Sequence, residues 1–313
     1  MWYLLHPRLT KGQCLRLAAG VTALAVCLCI SLLGGGVWAR LYRAAGISPQ
    51  PPGAAIQSSR AKVHFIDVGQ GDAVLLEQGG HFALIDAGPQ TAAEEVLRYL
   101  ELAGVTRLEL LVMTHPDGDH IGGMCAVLNR LPVEQFWLPY FTPEQAGGDT
   151  LLYQVLYTAA QREIPTGHPP EQLTFALGEG TVTLLSDGVS GETVNDASLC
   201  TRFAVDDAAF LNTGDAELAG ETKLLHHPER LSAVLLKAGH HGSATSTDAA
   251  FLAAVQPRVA VISCGWNNGF GHPAPAVTER LAQCGAQLYR TDQQGSVVAI
   301  LMQDGTVTVE TEF

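Results

Sequence analysis

The stretch "THPDGDHIGG" (114–123) sets His115, Asp117, Asp119 and His120 within six positions, directly after the apolar run "RLELLVM". Imidazole nitrogen suits zinc, iron and manganese, while carboxylate oxygen suits harder divalent ions. Gly118, Gly122 and Gly123 let the backbone fold sharply enough for such side chains to converge. Alone, this pattern fits either a metal-binding turn or a solvated polar loop. Two further apolar segments stop at the same residue types: "AAFLNTGD" ends on Asp215, and "LSAVLLKAGHH" ends on His240 and His241. Three strand-like segments from distant parts of the chain, each ending on ligand-type residues, point to one shared metal centre.

The ordered motifs "FIDVGQGDAVLL", "ALIDAG", "THPDGDHIGG", "VNDASL", "FLNTGD", "KAGHHGS" and "NNGFGHPAP" carry a resemblance. Their order is similar to that of the metallo-β-lactamase-fold domain at the end of ComEC-type competence proteins. The resemblance spans roughly residues 62–298. It implies an α+β fold, a four-layer αββα sandwich with the metal site at one edge. It implies that His115 and Asp117 serve a first metal position, that Asp119, His120 and His241 serve a second, and that Asp215 bridges the two. His240 is either a ligand or the residue that orients its neighbour. Asn195 and Asp196 stand where many relatives offer a histidine, which makes Asp196 a further candidate ligand. Asp117 stands where the usual metal-binding turn has histidine. The first position is therefore oxygen-rich, which weakens zinc there and favours manganese or magnesium. One or two divalent ions are expected as cofactor.

Two adjacent cations lower the pKa of a bridging water and stabilise the oxygens of an in-line displacement. Phosphodiesters suit that arrangement, because the transition state carries negative charge. Asp119 is expected to orient the attacking hydroxide as well as bind metal. Lys237, Ser243 and His272 are the candidates to contact a phosphate. Lys237 also reads as an ordinary strand residue, whereas His272 sits in the Gly/Pro loop "GHPAP". Ala274 stands where ComEC relatives often carry a second histidine. Asp67 and Asp72 flank the tight turn "VGQG" and read as turn-capping residues in preference to catalytic ones, while the resemblance implies a place near the metals for both. Asp86, ending "FALIDAG", reads as a residue that orients ligands by hydrogen bonding.

Positioning these groups needs a regular frame. "KVHFIDV", "DAVLLEQ" and "HFALIDA" read as strands joined by short Gly-containing turns, followed by helical periodicity over "AAEEVLRYLELAG". "LTFALG", "TVTLLSD", "LCTRFAV" and "AAFLNTGD" open a second series of strands, with helices at "TDAAFLAAVQP" and "APAVTERLAQCGA". A final hairpin, "VVAILMQDGTVTVETEF", carries an Asp-Gly turn. Strands, helices, strands and helices in that order predict two sheets packed face to face with helices outside.

Charge divides the chain unevenly. Residues 1–60 hold six Lys/Arg and no acid, leaving twelve Lys/Arg against all 31 acidic residues in 61–313, a formal charge of −19. Residues 17–39 form an uncharged run of 23 residues, long enough to cross a bilayer and long for a cleaved signal peptide. The expected organisation is therefore a cytoplasmic N-terminus with a transmembrane helix (1–43), a flexible Pro/Ala/Gly/Ser-rich linker (44–60) and a hydrolase domain (61–313). The flanking basic residues favour a single-pass cell-membrane protein with an extracytoplasmic domain. Seven cysteines include no CxxC pair, which argues against a cysteine zinc knuckle. The expected activity is a metal-dependent phosphodiesterase or nuclease acting on DNA. The acidic domain lacks a basic track for a long polyanion, whereas a short or single-stranded substrate reaching only the metal cleft is compatible with it. A surface polymer or lipid head group as substrate, or a non-catalytic metal-bearing module, are the competing readings.

Overall fold

Strands that must bury both faces read as near-continuous apolar runs, and those runs build the centre of this protein. The computed structural model describes residues 21–22, 60–142, 150–186 and 193–312. The first half runs β1 (Ala61–Phe65), β2 (Val74–Gln78), β3 (His81–Ile85), α1 (Ala93–Leu102), β4 (Leu110–Val112), α2 (Gly118–Ile121), α3 (Met124–Arg130), β5 (Phe136–Trp137), α4 (Thr150–Gln161) and β6 (Thr166–Gly167). The second half runs β7 (Gln172–Leu177), β8 (Gly180–Leu185), β9 (Cys200–Val205), β10 (Ala208–Asn212), α5 (Leu218–Leu224), β11 (Leu235–Lys237), α6 (Ala249–Val255), β12 (Val259–Ile262), α7 (Pro275–Gln283) and β13 (Gln287–Arg290). The chain then passes through α8 (Thr291–Gln294) into the hairpin β14 (Val297–Leu301) and β15 (Val307–Thr311).

Among the described residues there are two sheets. One has the order β15-β14-β1-β2-β3-β4-β5-β6, the other β13-β12-β11-β10-β9-β8-β7. The closing hairpin thus returns to pair β14 antiparallel with β1, so both ends of the described domain meet in one sheet. Val63, Phe65, Val74, Leu76, Phe203, Phe210 and Val261 fill the space between the sheets. Leu84, Leu100, Leu111, Val127 and Val155 pack α1, α3 and α4 on the first sheet's outer face. Leu236, Phe251, Leu252, Val277 and Leu281 do the same for α6 and α7 on the second. The result is the expected αββα layering.

Topology decides where the chemistry sits. β3, β4 and β5 run parallel, as do β10, β11 and β12. Parallel neighbours end on the same edge of a sheet, and ligands collect at such carboxyl ends. Asp86 directly follows β3, and His115 comes soon after β4. Asp215, His240–His241 and Ser263 follow β10, β11 and β12 in the same way.

The expected membrane-anchored placement is corrected here. Among the described residues no helix is long and apolar enough to cross a membrane. Apart from Val21 and Thr22, the 17–39 segment on which that expectation rested lies outside the described residues, as does the 44–60 linker apart from Arg60. Cys200 and Cys264 are free and buried.

Candidate metal centre

Asp86 carries an unusual backbone, with φ of 56°, and is completely buried. It holds the residues after β4 in place. Its Oδ1 accepts from the Thr114 backbone N–H at 2.8 Å, and its Oδ2 accepts from the Thr114 hydroxyl at 2.6 Å. The same Oδ2 lies 2.7 Å from Nδ1 of His120. A carboxylate at Nδ1 fixes the proton there and leaves Nε2 as the free lone pair. His241 receives the same treatment from the opposite sheet, where its Nδ1 is 3.0 Å from the carbonyl oxygen of Ser263. His115 Nδ1 is 3.1 Å from the Thr114 hydroxyl oxygen, and that hydroxyl spends its proton on Asp86. All three rings therefore turn Nε2 toward one point.

That point is occupied by acid groups. His120 Nε2 is 3.3 Å from Asp215 Oδ1, and His241 Nε2 is 3.3 Å from Asp215 Oδ2. The two imidazole Nε2 atoms are 3.3 Å from each other, and Asp119 Oδ2 is 3.3 Å from that of His241. Nε2 of His115 is 3.9 Å and Nε2 of His240 is 3.7 Å from Asp215 Oδ2, with Asp117 Oδ2 3.6 Å from His115. Asp215 thus stands between an inner set (Asp119, His120, His241) and a looser outer set (His115, Asp117, His240).

The donor set passes a test for a divalent ion. Four ligands at the usual zinc–nitrogen and zinc–oxygen distances have donor–donor edges of about 3.4 Å, close to the 3.3 Å spacings of the inner set. Two nitrogen lone pairs pointed at each other at that distance repel unless a cation or proton lies between them. Asp215 Oδ1 and His115 Nε2 are buried and make no hydrogen bond, which is costly unless another partner is met.

The electrostatics agree. Burial pushes the His241 ring down, but Asp215 and Asp72 outweigh it and bring the ring up to about 10. Burial also opposes charge on His120, yet Asp215 and Asp86 hold it well above the ordinary histidine value. Burial raises the Asp119 carboxyl, but the His241 hydrogen bond and the nearby His120 prevail and take it to about 2. Asp215 is held well below the ordinary carboxylate range, with His241 and His120 overcoming its burial. Without a metal ion, the carboxylates recruit protons onto the histidines.

Asp72 and Lys237 sit behind the rings. One donor atom from each of Asp72, His120, Asp215 and His241 lies within 4.8 Å of the others. Asp72 approaches the Nδ1 side of both imidazoles, at 3.8 Å in each case. Lys237 Nζ is 2.5 Å from Asp72 Oδ2 and 3.9 Å from Asp215 Oδ1, and the side chain has no exposed surface. The structure thus turns Lys237 inward, onto Asp72, and away from any bound phosphate. The turn-capping role expected of both early acids falls to Asp67 alone, whose Oδ1 accepts from Gly69 N–H at 3.0 Å. The local signal around Asp72, a carboxylate after a Gly-rich turn, points to turn capping, and only the resemblance places it near the metals.

Asp196 is not brought to the cluster. Its Oδ1 accepts from Gly220 N–H at 2.9 Å and its Oδ2 from the Thr193 hydroxyl at 3.0 Å. It lines a separate cavity of about 360 Å³ with Ser198, Lys223 and His226. His272 stands at the mouth, its ring 5.7 Å from that of His240 and nearly perpendicular to it. Burial, with His240 and His241 adding to it, lowers the His272 pKa.

Comparison with known proteins gives a consistent result. The family model described as metallo-beta-lactamase superfamily matches residues 66–266. Competence protein ComA of Neisseria gonorrhoeae is 34% identical over 281 residues, covering 88% of this chain and 38% of that protein. ComE operon protein 3 of Bacillus subtilis is 29% identical, covering 77% of this chain and 33% of its own length. Recombination protein 2 of Haemophilus influenzae is 31% identical, covering 78% and 29%. The chain therefore spans about a third of the length of these curated relatives. Among solved structures, the metallo-beta-lactamase fold protein YhfI of Bacillus subtilis matches 80% of this chain and all of its own, with a TM-score of 0.51 and 12% identity. A CmlA beta-hydroxylase variant matches 79% of this chain and 55% of its own, with a TM-score of 0.52 and 13% identity. At such identities the two structures speak to the fold alone.

Proposed function

This chain belongs to the metallo-beta-lactamase superfamily, and from that premise we propose that it is a metal-dependent phosphodiesterase acting on DNA. Metal-dependent hydrolysis is the chemistry that the superfamily and the donor cluster support in general. The observation that carries the proposal is the inner set: the His120 and His241 Nε2 atoms 3.3 Å apart, each 3.3 Å from an Asp215 oxygen, with Asp119 3.3 Å from His241 and Asp215 Oδ1 buried and unpaired. The DNA substrate is supported by relatives named for competence and recombination.

Asp119, His120, Asp215 and His241 would hold one divalent ion, and His115, Asp117, His240 and Asp215 a second. Bound there, such an ion supplies Lewis acidity and lowers the pKa of a water. Asp119 remains ionised down to about pH 2 and is one-third exposed. It can therefore accept a hydrogen bond from an attacking water at the rim and hold it in line. Asp86 and the Ser263 carbonyl keep the two inner rings in the tautomer that presents Nε2. His272, kept neutral by its burial, offers a hydrogen bond to a phosphoryl oxygen without adding charge.

The test uses the full chain with manganese, magnesium or zinc, assayed on bis(4-nitrophenyl) phosphate and on end-labelled DNA. Asp119→Ala should lower kcat by at least about a hundredfold, with an unchanged far-UV spectrum. Full activity in Asp119→Ala, or no phosphodiester cleavage with any of the three metals, would defeat the proposal.

A further inference from the structure

Beside the metal cluster, the loop after β12 presents aromatic rings to solvent. Phe270 is 71% exposed and Trp266 46% exposed. Both lie within a few residues of His272, at the mouth of the site. A single exposed apolar side chain is ordinary, but two aromatic residues on one loop beside a cluster of ligand-type side chains form a candidate binding surface.

The loop is braced to hold those rings still. The Asn268 side-chain amide donates to the carbonyls of Gly265 at 2.8 Å and of His272 at 2.6 Å. Its oxygen accepts from the backbone N–H of Phe270 at 3.2 Å and of His272 at 3.0 Å. Gly265 N–H donates to Gln70 of the "VGQG" turn at 3.0 Å, and Ala274 N–H donates to the Gly242 carbonyl at 2.8 Å. The loop is thus tied to the turn preceding Asp72 and to the turn carrying His240 and His241. A surface fixed before binding loses little entropy when a ligand docks.

The rings form a path leading outward. His240 lies 3.7 Å from Asp215, and the His272 ring is 5.7 Å from that of His240. The Phe270 ring stacks on His272 at 5.7 Å with an interplanar angle of 25°. His272 Nδ1, buried within this path, has no hydrogen-bond partner. Flat apolar faces stepping out from a phosphate-cleaving centre match an unstacked nucleobase next to the phosphate being cut. Bases stack on such rings in proteins that hold single strands. A duplex keeps its bases stacked inside, so only an unpaired or frayed base can reach such rings.

Resting on the phosphodiesterase reading above, we propose that Phe270, braced by Asn268, is a nucleobase-stacking subsite. It makes single-stranded DNA, or a frayed DNA end, the preferred substrate.

Binding tests this independently of turnover. Fluorescein-labelled oligothymidylate and an abasic strand of equal length are titrated into the full chain carrying Asp119→Ala, and anisotropy is read. The thymidylate should bind roughly five- to a hundredfold more tightly than the abasic strand. Phe270→Ala should abolish that preference and leave abasic-strand affinity unchanged, while Phe270→Trp should restore it. Equal affinity for the two strands, or a preference that survives Phe270→Ala, overturns the subsite. If wild-type protein cleaves DNA yet shows no base preference, the subsite fails and the hydrolytic reading stands. If the preference depends on Phe270 but wild-type protein cleaves nothing, the subsite stands as a binding platform and the hydrolytic reading fails. Melting temperatures within about 2 °C of the parent establish that each variant is folded.

Discussion

Replacing Lys237 with methionine probes the centre from behind. Methionine keeps the length and flexibility of the stem and removes the charge. The ammonium it removes lies 2.5 Å from Asp72 and 3.9 Å from Asp215, with no exposed surface. With an effective dielectric constant near 20, the two attractions are on the order of 6 and 4 kcal/mol. Desolvation of the lysine cancels much of that sum, and breaking a buried pair by removing one partner costs about 3–5 kcal/mol. Lys237→Met should therefore lose about 3–5 kcal/mol in urea unfolding with EDTA present. Saturating manganese should recover part of the loss, because a divalent ion held by Asp215 and its neighbours replaces some of the missing positive charge. Adding Asp72→Asn should relieve the unpaired carboxylate, giving a double variant more stable than Lys237→Met alone by at least about 1 kcal/mol. A loss below about 1 kcal/mol in EDTA, or a double variant no more stable than the single one, would refute the account of Lys237 as the internal counter-ion of Asp72.

Two further outcomes follow from the same geometry. Divalent affinity, measured by competition with a chelating dye from pH 6 to 8, should rise by up to about tenfold per pH unit for each proton displaced. His241 sits at about 10 and His120 well above its ordinary value, so a bound ion must displace their protons. The chelated protein should show the complementary trend. The stability due to His241 is fully present below the unfolded value near 6.5 and is lost as pH rises through about 10. A flat affinity profile would contradict that protonation state. Gly71→Ala would place a Cβ 2.3 Å from the Asp119 carbonyl oxygen at a φ of +139°, whereas Gly69→Ala, at φ +76°, meets nothing within 4 Å. The first should cost about 2–4 kcal/mol and weaken metal binding through Asp119, while the second should cost about 1–2 kcal/mol and leave metal binding alone. Thermal melts and metal stoichiometry distinguish them.

Much of this arrangement could be read from the chain. The strand before His115, the strands ending at Asp215 and His240, and the closing hairpin are all visible as apolar runs punctuated by Gly and Asp. Which sheet the hairpin joins was not, because pairing of β14 with β1 depends on residues more than 230 positions apart. Asp72 was misjudged for a related reason. A carboxylate beside a glycine turn serves the local backbone as readily as a distant site, and only the approach of Lys237 from the other sheet separates the two roles. Lys237 was open to two readings, a phosphate ligand and an ordinary strand residue, and the second holds: it ends a buried strand and its ammonium turns inward onto Asp72. Asp196 looked like a ligand by its place in the order of motifs, yet Gly220 and Thr193 consume both its oxygens.

Asp215 draws its partners from both layers of strands: His115 and His120 after β4, His240 and His241 after β11. A cation seated among them would act as a rivet through the two slabs. While the ribosome is still extending the chain, the turn at residues 114–120 is only a polar loop. The donor set is complete only once the second slab has emerged and docked, so an unfinished or half-opened chain cannot seat the ion. Once riveted, prising the slabs apart means evicting the ion as well as wetting the apolar seam. Chelation should therefore speed unfolding.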